Sequence, residues 1–222
     1  MADPPLRSLA ACSSLPPHRL AGAGEGPGVA SNCGSVDGAH TSSERLAAFC
    51  PAGCSHGGAG GNYSVGEDEY EITRYRRAQL YGDASAPATP GSGLRGLGPA
   101  YAHLRGGGVL RIEVGAGGAA LAAGARLSAA GAHSTRRFVG GASGGSVWLS
   151  VTGALASDSA AQISVEGGAA ASDGGGGGGG RLAVYFSSGA WLGKAVTAGG
   201  SGDGTATSGE AGSAVVVPSW SG

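Results

Sequence analysis

The sequence predicts an all-β chain, a glycine-rich, parallel β-helix-like solenoid with short strands and long loops. Three observations carry this reading. Glycine runs empty directly into alternating apolar segments at 106–114, 144–151 and 174–186, the last preceded by seven consecutive glycines. The apolar entries into these segments recur at a nearly constant interval. Gly makes up 48 of 222 residues, well above the usual usage of roughly 7%, without the strict Gly-X-Y period of collagen.

The repeat is read from two sets of markers. Leu110, Val147, Leu182 and Ala214 open the first strand of successive units, 37, 35 and 32 residues apart. Leu127, Ile163 and Val196 mark a second strand, 36 and 33 residues apart. Two markers that drift together indicate real repeats. Alternation puts Leu110, Ile112, Val147, Leu149, Leu182 and Val184 on one face, as a half-buried strand requires. With Leu127, Ile163 and Val196 they form the expected shared core. The opposite face, with Arg111, Glu113, Trp148, Ser150, Ala183 and Tyr185, is expected in solvent. No unit holds enough large apolar residues for its own core, so stacked units must share one. Gly115, Gly117, Gly118, Gly153, Gly189 and Gly193 are expected at the bends between the two strands of a unit. A helical solenoid is excluded, because glycine costs roughly 1 kcal/mol per residue in helix interiors. The run 174–180 is read as a return loop that tolerates loss of two or three glycines.

In chain order, 1–18 is a Pro- and Ser-rich disordered lead, and 19–105 an irregular, cysteine-containing first part of the array. The repeats fill 106–217, in units of about 106–140, 141–176, 177–209 and 210–217, and 218–222 is a tail. A short strand is expected at 20–28 and a β-like piece at 80–83, followed by turns over 84–100. Cys12, Cys33, Cys50 and Cys54 all lie in the first quarter. An even number in a weakly charged, Gly/Ser/Thr-rich chain fits disulfides in an oxidising compartment. Three pairings are open; local pairing of Cys50 with Cys54 would leave Cys12 for Cys33. Cys50-x3-Cys54 with His40 and His56 nearby is the weaker, zinc reading, since it lacks a second spaced pair. The one charged island, 63–79, sets Glu67, Asp68, Glu69 and Glu71 before Arg74, Arg76 and Arg77. It reads as a self-neutralising insertion rather than a cation site, and it lacks the calcium-loop spacing.

Net charge is −1 and charged residues are 13%, which gives no electrostatic footprint for nucleic acid. Arg105-Gly106-Gly107 is a lone RGG. No apolar run reaches the roughly 20 residues of a membrane helix, so no membrane insertion is expected, and residues 1–7 hold no apolar signal core. The glycine runs match neither a dinucleotide fingerprint nor a P-loop, and no cofactor is expected. Ser143 precedes a strand and so makes no nucleophile elbow. Cys54 and His56 are neighbours without further support for a dyad. Asp158, Glu166, Asp173 and Asp203 form no repeated column of catalytic carboxylates. Trp148, Tyr185 and Trp191 are candidate sugar-stacking aromatics, with covering a thin core as the plainer role.

These motifs resemble a family of large, glycine-rich extracellular repeat proteins of algae, other protists and bacteria. Ile163-Ser164-Val165-Glu166-Gly167-Gly168, the run 174–180, and Arg181-Leu182-Ala183-Val184-Tyr185-Phe186 look like that family's module. So do 141–150, 81–93, 26–28 and 56–61. The resemblance covers roughly 19–217, with 29–79 atypical. It implies a right-handed parallel β-helix, an adhesin-like surface protein, and an extracellular or cell-surface location. Partners would be extracellular polysaccharide or neighbouring repeats of a longer chain. The expected function is therefore a non-catalytic structural or adhesive segment. The alternatives are a carbohydrate-binding or polysaccharide-degrading β-helix, and a diverged fragment without independent function.

Overall fold

The computed structural model describes residues 52–62, 80–93, 104–137 and 139–218. Among them every regular element is a strand: β1 (Val109–Val114), β2 (Ala119–Leu121), β3 (Arg126–Ser128), β4 (Ser146–Ser157), β5 (Gln162–Ser164), β6 (Arg181–Ala190), β7 (Lys194–Val196) and β8 (Ser213–Pro218). The first sheet runs β1-β4-β6-β8, with β2 on the far half of β4, and the second runs β3-β5-β7. All strand pairings are parallel, and a single isolated antiparallel bridge joins Val139 to Ala171 among the described residues. The chain is a parallel β-solenoid.

The first-strand register is the one the markers give. Leu110 lies opposite Val147, Val147 opposite Leu182, and Leu182 opposite Ala214. In the second sheet Leu127 faces Ile163, but Ile163 faces Ala195, so Val196 sits one place late, opposite Ser164. The last coil is one residue shorter than its apolar residues imply. Val147, Leu149, Leu182, Val184 and Ile163 are buried in one cluster with Val151, Leu155, Val165 and Phe186. Leu110, Ile112 and Leu127, on the end coil, pack half-buried against it. The expected bend at Gly153 is instead a register shift inside a continuous β4, between Val151 and Ala154. Gly189 turns within β6 at φ 93°.

The third wall is where glycine does its work. Each second-sheet strand continues outward as 129–134, 165–170 or 197–202, and the chain then returns as 139–145, 174–180 or 206–212 into the next first-sheet strand. Residues 104–108 return into β1 in the same way. The segments 91–93, 52–56 and 58–62 lie over the returning ones as an outer layer.

The run 174–180 is the centre of this array and is wholly buried. It returns the chain from one coil to the next, but as a segment packed among neighbours. Its neighbours change with a period of three. The amides of Gly176 and Gly179 donate to Thr207 and Glu210, those of Gly177 and Gly180 to Gly168 and Val165, and that of Gly178 to Cys54. Its carbonyls accept with the same period: Gly175 and Gly178 from Gly141 and Gly144, Gly176 and Gly179 from Gly61 and Gly58, and Gly177 from Gly200. Six segments surround it. Three residues per turn without internal hydrogen bonds is the polyproline II helix, here with its backbone groups satisfied by neighbouring chains rather than water. A Cβ on any of the seven would come within 3.0 Å of a neighbour's backbone atom. Close approach from all sides, rather than turning, is why only glycine fits.

Candidate functional site

The densest group of polar side chains forms where the segment 80–93 straps the outer face of the first sheet. Val109, Ser146, Arg181 and Ser213 share one row across that sheet. The Ser146 hydroxyl donates to the Thr89 carbonyl at 2.6 Å. Arg181 Nε donates to the Tyr81 carbonyl at 2.8 Å, and its second nitrogen reaches Ser213 Oγ at 3.2 Å. Four residues further along β6, Tyr185 donates its hydroxyl to the Ser85 carbonyl at 2.7 Å. Tyr81 donates to the Pro90 carbonyl and meets Ser92 Oγ. Asp83 Oδ1 accepts from the Ser85 hydroxyl and amide and from the Ala86 amide, which hold its carboxyl below the usual range.

His56 sits beneath the strap, fully buried, its ring tilted against Tyr81 with centroids 4.6 Å apart. Nδ1 lies 2.7 Å from the Gly144 carbonyl, which can only accept, so Nδ1 carries the proton. Nε2 then accepts from the Thr89 hydroxyl at 3.0 Å. Burial pulls the imidazole pKa down to about 4, the Arg181 charge works in the same direction, and the carbonyl contacts oppose it. A hydroxyl on an imidazole is the opening of a nucleophilic relay. A relay, however, needs a basic imidazole and a carboxylate to stabilise its cation. Here the third group is a backbone carbonyl, and the charge that acts on the ring is the cation of Arg181. The arrangement is a neutral lock that ties strap, outer layer and returning segment together. His56 therefore belongs to this lock.

The strap also corrects the expected solvent face. Ala183 points outward yet is fully buried, as is Pro87 of the strap. Arg111 and Glu113 are exposed and paired with each other, and the Arg111 guanidinium lies 3.8 Å over the Trp148 ring. Trp148 is half-buried, its Nε1 out of solvent and without a partner among the described residues. Tyr185 is spent on the strap, and Trp191 packs on the core cluster. Trp148 and Tyr185 stand on the same outer face of adjacent strands, two residues apart in register, while Trp191 lies apart from them against the core.

Elsewhere a shallow groove of about 230 Å³ crosses the three outgoing segments, lined by His133, Glu166 and Ser201 with backbone between them. Its lining has no aromatic. Glu166 is held by the Ser164 hydroxyl at 2.8 Å, and His133 Nδ1 accepts the Ala169 amide. Asp173 pairs with Arg137, and Asp203 caps the Ser172 and Gly204 amides; Asp158 caps its own turn at Ala160. These carboxylates serve turns. Cys54 is buried with its backbone in the array. Cys12, Cys33, Cys50, His40 and the island 63–79 lie outside the described residues. Comparison with protein-family models, curated proteins and solved structures found no match.

The sequence gives little sign of the lock. His56 stands out only as a histidine beside a glycine cluster. Its partners Tyr81, Thr89 and Gly144 are 25 to 88 residues away, the first two in a stretch with no periodicity.

Proposed function

We propose that this chain is a non-catalytic structural segment of a secreted or cell-surface protein, a stiff rod section rather than a site for chemistry. The observation that carries this reading is the glycine array. Its interior is backbone bonded to backbone, so it presents no side chain to a substrate. A chain segment held by neighbours on six sides resists local opening, which takes several hydrogen bonds at once. The polar side chains around it are spent on internal contacts, as in the His56 lock.

Location is tested by labelling intact source cells and their medium with a membrane-impermeant amine reagent, for which Lys194 is exposed. Labelled or secreted protein is the expected result. Protein that is labelled only after lysis would remove the surface role. The mechanical part is tested by hydrogen exchange: amides of 174–180 should exchange only with global unfolding. Fast exchange there would remove the rod reading.

A further inference from the structure

The returning segments can be placed in phase by the β-register that follows them. Gly107, Gly144, Gly179 and Ala211 are equivalent, and so are Leu104, Gly141, Gly176 and Ser208. The glycines among them face an outgoing segment. A Cβ on Gly107 would meet the Ala129 carbonyl, on Gly144 that of Val165, and on Gly179 that of Thr197; Gly141 and Gly176 would meet Gly168 and Gly200. All these approaches are under 3.0 Å and all are to backbone, which cannot step aside as a flexible side chain could. Their amides point the same way along the stack: Gly107 donates to Ser143, Gly144 to Gly178, Gly179 to Glu210, Gly141 to Gly175, and Gly176 to Thr207.

At Ser208 and Ala211 the series breaks. Both are exposed, and both carry a side chain where Gly107, Gly144 and Gly179, and Gly141 and Gly176, have none; Leu104, at the first turn of the second series, is the one earlier member with a side chain, and it is fully buried. The edge they flank is otherwise open to extension. β8 pairs with β6 alone among the described residues. It carries no charge, and Val217 on it is 39% exposed. An uncharged apolar edge is what proteins protect against further pairing, and here the protection is displaced from the strand to the segment before it.

We infer that Ser208 and Ala211 are a stop: they end the glycine array and block a further coil, of this chain or of a second copy, from stacking on the β8 side. A stacked coil would drive its outgoing backbone onto two β-carbons. β8 could then be extended only if the array were pulled apart. The coil that ends in β8 is by this inference a cap, as terminal repeats of solenoids are.

The test is a full-length chain in which one coil, residues 181–212, is duplicated in tandem after Gly212. The upstream copies of Ser208 and Ala211 then lie inside the stack. The readout is protease resistance of the inserted coil, with far-UV circular dichroism of the whole chain. The plain duplicate should be cut within the insert. The duplicate with upstream Ser208→Gly and Ala211→Gly should protect it and gain β signal in proportion to its length. Equal protection of both duplicates would overturn the inference, and so would equal cleavage of both, since the side chains would not then be what decides. A third variant makes the same two substitutions in the unduplicated chain. It should keep the parent's β signal, because all those side chains hold is one long hydrogen bond, from the Gly202 amide to Ser208 Oγ at 3.3 Å; loss of that signal would show that they serve the fold and would also overturn the stop. None of these outcomes bears on where the protein resides, so the surface role stands or falls separately.

Discussion

Substituting one glycine at the centre of the array and one at an open corner separates close approach from every other role glycine has. The pair is Gly177→Ala and Gly117→Ala. Around Gly117 an added Cβ meets nothing within 4 Å, and the backbone there is not left-handed. That change should be neutral or stabilise by about 0.4–1 kcal/mol through the unfolded chain. At Gly177 the same methyl lands on the Ala142 carbonyl. Room can be made only by moving 139–145 away from 174–180. Overpacking of this kind costs about 1–3 kcal/mol. The movement also strains the Gly141–Gly175 and Gly144–Gly178 hydrogen bonds, both 2.9 Å, at about 1 kcal/mol each. Less the gain in the unfolded chain, the net loss is about 2–4 kcal/mol, a large share of the roughly 5–15 kcal/mol of a whole domain. With a urea slope of about 2 kcal/mol/M, the midpoint should fall by about 1–2 M. Urea titration followed by circular dichroism measures both variants. A Gly177→Ala midpoint at the parent value, or an equal loss for Gly117→Ala, would refute the packed array.

Further expectations are as follows. Deleting residues 177–179 removes one turn, about 9 Å of path at 3.1 Å per residue, and the six backbone bonds those residues make; limited proteolysis should find β6 and everything after it unfolded. Leu182→Asp with Val184→Asp puts two charges into fully buried positions, and should abolish the β signal of the same half. His56 has a folded pKa of about 4 against 6.5 unfolded, so its contribution is intact above pH 6.5 and is lost as pH falls through 6.5 toward 4, by up to about 3 kcal/mol. Thermal melts across that window should show the decline in the parent and lose it in His56→Gln; a parallel decline in the variant would assign the pH dependence to other groups. Non-reducing mass mapping of secreted material should find Cys12, Cys33, Cys50 and Cys54 in two disulfides, and four alkylatable thiols would refute the pairing.

The solenoid was legible because side chains mark strand phase. Leu110, Val147, Leu182 and Ala214 announce both period and face, and three parallel pairings follow from them. The one slip, Val196 for Ala195, arose because a large apolar residue stood beside the true partner. The strap was not legible for the opposite reason. Tyr81, Thr89 and Ser92 act through a few hydrogen bonds to residues far along the chain, and a stretch of mixed small residues has no repeat that would point to them. Nothing in the alternation of β6 separates Ala183, buried under the strap, from an outward residue in solvent.

The array was hidden by its own composition, since a glycine has no side chain to show which way it faces. Its phase becomes readable only where neighbours are missing. The run 174–180 has segments on every side and is glycine throughout. The equivalent run 206–212 has no coil beyond it among the described residues, and reads Ala-Thr-Ser-Gly-Glu-Ala-Gly. It keeps glycine only at 209 and 212, where an added Cβ would meet Gly177 and Gly180. Glycine here counts neighbours. A glycine-rich stretch that thins to every third residue marks the rim of such an array, and an unbroken one marks its centre. The seven-glycine run, the least informative stretch to side-chain reasoning, is thereby the most closely surrounded segment among the described residues.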